Sequence, residues 1–94
     1  MTLVKLKYHM GIERLTHGAQ EAISFDGETV GELVLQLLEK YPSLKDCFVR
    51  KEALEVAPGI SILVNGREIM WLQGMATRLS EGDEIDLLRF VSGG

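Results

Sequence analysis

Ninety-four residues, 46% of them apolar and 26% charged, suit a single domain with the composition of a folded globule rather than a disordered tail. A chain of this size buries only about two-thirds of the surface its unfolded form exposes, which leaves little room for a deep catalytic pocket and disfavours a stand-alone enzyme. Ten Lys and Arg against fourteen Asp and Glu give a net charge of −4 without a basic run, which argues against nucleic acid, whose binding is mostly phosphate neutralisation.

Val4, Leu6, Tyr8 and Met10 alternate with Lys5, Lys7 and His9, the period of a strand with one dry and one wet face. The same lysines interrupt the apolar core that a signal peptide needs, and the tract Leu33 to Leu38 is too short to cross a bilayer, so no membrane partner and a cytoplasmic location are expected. A second strand is predicted over Ala19 to Phe25, with Gly11 and Gly18 bracketing the hairpin turn. Thr29-Val30-Gly31-Glu32 reads as a capping box, the Thr29 hydroxyl accepting from the amide three residues on and Glu32 reaching back to the Thr29 amide. Behind it Val30, Leu33, Val34, Leu37, Leu38 and Tyr41 form one apolar stripe, and Pro42 ends a helix expected over residues 30 to 41.

Residues 43 to 58 lack a clear period and are expected to be irregular, with a short helix or edge strand, closing at Pro58-Gly59. Ile60-Ser61-Ile62-Leu63-Val64 runs into Asn65-Gly66, a strong signal for a type I′ hairpin, with a return strand over Arg67 to Ile69. After a loop from Trp71 to Thr77, Glu81-Gly82-Asp83 turns the chain into a last strand, Glu84 to Val91. Two strands, a helix and further strands describe an α+β chain, a mixed sheet over one main helix: the β-grasp, or ubiquitin-like, arrangement. The helical crossover lets the last strand lie beside the first, in parallel, in the middle of the sheet. The domain is expected over residues 1–91, and Ser92-Gly93-Gly94 as a flexible tail.

Glu84 and Asp86 mark the wet face of the last strand, and Leu88 and Phe90 share their parity, which predicts two exposed apolar side chains and hence a docking patch. Gly93 and Gly94, without Cβ atoms, suit a tail that lies flat in a narrow channel and presents its terminal carboxylate. A carboxylate must be converted to an acyl-phosphate before it becomes an electrophile. The chain has neither a phosphate loop of the GxxxxGK[ST] kind nor paired carboxylates at metal-ligand spacing, so it reads as a substrate-like carrier rather than a catalyst. No metal site is expected. Cys47, the single cysteine, reads as a small core hydrophobe. His9 and His17, without a telling partner in the sequence, read as surface or turn residues, Trp71 as a cap on the core edge, and Arg50 to Glu52 as a solvated face.

Ser61-Ile62-Leu63-Val64-Asn65-Gly66-Arg67-Glu68-Ile69, Trp71-Leu72-Gln73-Gly74, Thr77, Leu79, Gly82-Asp83-Glu84-Ile85 and Val91-Ser92-Gly93-Gly94 together resemble the ubiquitin-like sulfur carriers: the small subunit of molybdopterin synthase and its thiamine-pathway relatives. The resemblance covers the second half closely and the first half by element order. It implies that an E1-like enzyme, using its own ATP and Mg²⁺, adenylates the Gly94 carboxyl. Sulfur then replaces AMP to leave a thiocarboxylate, and no cofactor stays bound to the carrier. It implies further that Gly93 and Ser92 are the slender tail that reaches the partner's active site, Val91 and Ser92 joining the parity-predicted Leu88 and Phe90 as partner contacts, and that the sulfur passes to a pterin precursor on a molybdopterin synthase large subunit. The molybdopterin branch usually carries Phe-Pro-Pro where this chain has Leu88-Arg89-Phe90, which leaves the large partner open. Thiamine or tRNA thiolation, a protein modifier joined to lysines and a β-grasp interaction module with an inert tail stand as alternatives.

Overall fold

The alternation at the start of the chain becomes strand β1, Thr2–Tyr8, and the computed structural model describes residues 1–90. Strand β2 spans Gln20–Phe25, helix α1 Val30–Lys40, and strands β3 and β4 Phe48–Arg50 and Leu54–Val56. Strands β5, β6 and β7 follow at Ile60–Val64, Arg67–Glu68 and Glu84–Arg89. Five of them form one sheet in the order β2-β1-β7-β5-β6. β7 lies in the centre, parallel to β1 (Leu6 beside Ile85) and antiparallel to β5 (Leu87 beside Ile62), as the crossover predicts.

Helix α1 starts where the cap allows. Thr29 is extended, and its hydroxyl oxygen accepts the Glu32 N–H at 3.3 Å. The Glu32 carboxylate takes the Glu28 N–H and the Thr29 hydroxyl rather than the Thr29 amide, a one-residue displacement of the expected box. Val30, Leu33, Val34 and Leu37 bury one face of α1 against Val4, Leu6, Phe25, Ile62, Ile85 and Leu87 on the sheet. Tyr41 caps the helix and Pro42 opens a 3-10 turn over Pro42–Cys47, so the break falls where the missing N–H requires it.

Asn65 and Gly66 both take positive φ, 51° and 85°, as a type I′ turn demands. The return strand is shorter than expected, because Ile69 leaves the ladder to enter a 3-10 turn, Ile69–Trp71, and is itself buried. Ile69 thus closes the core edge. Trp71, expected to do so, is 81% exposed. The segment after Pro42 is more regular than its sequence suggests: β3 and β4 pair as a separate antiparallel hairpin.

A polar knot ties α1 to the first hairpin. The Glu21 carboxylate accepts the Tyr8 hydroxyl at 2.8 Å, the Tyr41 hydroxyl at 2.5 Å and Lys40 Nζ at 2.7 Å. Burial pushes the Glu21 carboxyl up, but the bonds from Lys40, Tyr41 and Tyr8 outweigh it and hold it below the usual carboxylate range. Burial and then the Glu21 contact push both tyrosines up, so they stay protonated donors. His17 packs edge-on against Tyr41, ring centres 5.0 Å apart. Glu21→Ala is expected to lower stability by about 1–3 kcal/mol, through two tyrosine hydroxyls left without their acceptor, read by urea unfolding. A carboxyl lowered by folding stabilises above its unfolded value and ceases to do so as pH falls through its folded value. The wild-type protein should therefore lose stability on acidification below the ordinary Glu value of 4.5, and Glu21→Gln should flatten that part of the profile.

Candidate functional site

The central strand leads to the site. β7 is hydrogen-bonded on both sides, and its outgoing end is gripped twice: His9 N–H donates to Leu87 O at 3.0 Å from the β1 side, and Phe90 N–H to Gly59 O at 2.6 Å from the β5 side. Gly59 holds φ at +86°, a conformation that a residue with a Cβ adopts only under strain, so the Pro58-Gly59 turn is the clamp on this end. The strand itself stops at Arg89, two residues before the predicted end, because Phe90 turns to meet Gly59.

Of the predicted docking pair, Phe90 is 55% exposed and Leu88 is only partly exposed. Leu88 stands opposite Ser61, which is buried and donates to the Glu68 carboxylate, so this part of the open face is more covered than strand parity alone implies. Met10, which the alternation puts on the dry side of β1, lies beyond that strand's end, exposed and with φ at 57°, and stands at the same end of the sheet because β1 and β7 run in parallel. Val91, Ser92, Gly93 and Gly94 lie outside the described residues.

The open face behind this end carries charge in pairs. Lys7 lies 3.8 Å from Glu84, and His9 Nε2 lies 2.7 Å from Asp86 Oδ1. His9 therefore has a carboxylate partner, 77 residues away in sequence and adjacent only because β1 and β7 are neighbours. Arg89 has core parity yet is exposed. Burial pushes the Cys47 thiol up, and Arg89 offsets part of that, so Cys47 is a protonated, buried side chain. Among the described residues no three His, Cys, Asp or Glu side chains stand together as a metal site, and no helix is long and apolar enough to cross a membrane.

This architecture is that of the ubiquitin-like β-grasp proteins. The small archaeal modifier protein 1 of Methanosarcina acetivorans superposes with a TM-score of 0.84 at 36% identity, over 100% of this chain and 98% of that one. The class is thus that of small ubiquitin-like carriers and modifiers, proteins that are not themselves catalysts. The ThiS family model matches residues 10–94, and the chain belongs to that family. It is 39% identical over 69 residues to small archaeal modifier protein 3 of Haloferax volcanii, covering 73% of each. It is 27% identical over 82 residues to the sulfur carrier protein CysO of Mycobacterium tuberculosis, covering 82% of this chain and 84% of the other.

Phe90→Ser tests the exposed end. Stability should stay within about 0.5 kcal/mol of wild type, as for a surface change. A partner protein that covers this end should bind the variant about tenfold or more weakly, read by titration calorimetry, since a covered Phe contributes about 1.5–3 kcal/mol to association.

Proposed function

We propose that this protein carries sulfur on the carboxyl group of Gly94. An E1-like enzyme binds ATP and Mg²⁺, and a Gly94 carboxylate oxygen attacks the α-phosphorus. Pyrophosphate leaves and an acyl-adenylate forms. A sulfur nucleophile, formally hydrosulfide, then attacks the acyl carbon, AMP departs and the thiocarboxylate remains. Leu88 and Phe90, with Val91 and Ser92 beyond them, contact the partner, and Gly93 keeps the approach to Gly94 slender. Four residues follow Phe90, and at about 3.3–3.6 Å each they reach at most about 14 Å, which sets how far the partner's catalytic groups can lie from its mouth. The observation that carries this reading is the doubly gripped end of β7, which gives those residues a fixed origin beside an exposed Phe90. Membership of the ThiS family supports it.

The narrower destination is a pterin precursor on a molybdopterin synthase large subunit. Its support is the pattern from Ser61 to Gly94, and Leu88-Arg89-Phe90 in place of Phe-Pro-Pro weighs against it. Transfer of the activated acyl group to a lysine amine is a second reading, favoured by the 39% identity to a small archaeal modifier protein.

Intact mass after incubation with the activating enzyme, ATP and a sulfur donor tests the proposal. One oxygen replaced by sulfur is expected on the wild-type chain, and no change on a variant with alanine added after Gly94. Chains joined through Gly94 to lysine, with no sulfur gain, would favour the modifier. No change under either condition would overturn the carrier reading.

A further inference from the structure

The β3–β4 hairpin turns one face inward. Phe48 stands opposite Val56 and Arg50 opposite Leu54, so these four side chains share a face, while Val49 and Glu55 share the other. Phe48 is buried, and Leu54 and Val56 pack against the core, which identifies the first face as the inner one. Arg50 therefore ends an apolar row with a charge, although its run, Arg50 to Glu52, reads in the sequence as a solvated face.

Between that inner face and the end of α1 lies a groove of about 400 Å³. Leu38, Pro42, Phe48 and Leu54 form its apolar walls, and Lys45, from the 3-10 turn after α1, joins Arg50 on its rim. Both cations are exposed, and among the described residues neither has an ion-pair partner, whereas Lys7, Lys40 and Arg78 each have one. No carboxylate lines the groove among the described residues. Glu39 lines the opposite flank of α1, beside β2, and Glu55 lies on the outer face of the hairpin. Two cations from separate elements thus converge on an apolar hollow with no acidic wall to meet them, in a chain whose net charge is −4.

Two positive charges beside apolar walls complement an apolar side chain carried between carboxylates. They are a poor match for a polyanionic surface, which would repel the negative charge of the remaining molecule. We propose that this groove docks an acidic segment of a partner protein. One large apolar side chain of that segment enters between Leu38 and Leu54, and the carboxylates flanking it pair with Lys45 and Arg50. The groove lies on the helix-covered side of the sheet, and the contact is independent of the chemistry at Gly94.

The probe is an unlabelled, end-capped peptide, Ser-Asp-Phe-Glu-Ser, titrated into the full chain and compared with Ser-Asp-Ser-Glu-Ser and Ser-Lys-Phe-Lys-Ser. Amide shifts induced by the first are expected at Leu38 and over residues 44–50 and 54–56, and each control should bind about tenfold more weakly or not at all. Lys45→Glu combined with Arg50→Glu should also weaken binding about tenfold. Because both side chains are exposed, the urea midpoint of that variant should match the wild type. If the double variant fails to fold, the two control peptides decide on the wild-type chain. The proposal is overturned by the absence of shifts at millimolar peptide, by equal binding of the lysine peptide, or by equal shifts from sodium acetate at matched carboxylate concentration. The same shifts from phosphatidylglycerol vesicles would overturn it in favour of a lipid surface.

Discussion

The parallel pairing of β1 with β7 is the constraint from which the rest of the molecule follows. Two parallel neighbours cannot be joined by a tight turn, so the chain between them must cross the sheet, and among the described residues the amphipathic segment long enough to cover it is α1. The crossover places α1 on one face and leaves the other open to water. It also makes the last strand the central one, with backbone partners on both flanks. The end of β7 inherits that rigidity, because its last bonds, from His9 and to Gly59, come from opposite neighbours. Phe90, the last described residue, is thereby tied to the most interior part of the sheet rather than to a loop.

The open and covered faces divide the remaining work. The covered face is apolar, closed at one corner by the Glu21 knot with Tyr8, Tyr41 and Lys40. There, a carboxylate removed from much of its water is kept charged by three donors, and α1, β1 and β2 become a single unit. The open face has lysine, histidine and carboxylates in cross-strand pairs, with apolar exposure toward the end that carries Phe90 and Met10.

Much of this was legible in the amino-acid order, and the reasons it was or was not are local. β1, α1, the Asn65-Gly66 turn and β7 each rest on contacts within a few residues, where period, cap and turn chemistry act directly. The β3–β4 hairpin was not legible, because its strands have three residues each and too short a run to show a period. Trp71 was misplaced because aromatic character indicates burial only on average, and the 3-10 turn after β6 directs Ile69 inward instead. The exposure of Leu88 depends on Ser61 across the strand pair, and the partner of His9 on β7, both set by register rather than by neighbours in the chain. The Gly59–Phe90 clamp joins residues 31 positions apart and has no short-range signature beyond a glycine after a proline.

The placement of Cys47 acquires meaning from the chemistry proposed for Gly94. In that proposed reaction the acyl carbon is electrophilic as the adenylate and ceases to be so once sulfur has replaced AMP, so a competing thiolate matters only before loading is complete. A sulfhydryl sunk in the interior and kept in its neutral form does not supply one. The chain's single cysteine thus leaves the field to the incoming sulfur nucleophile.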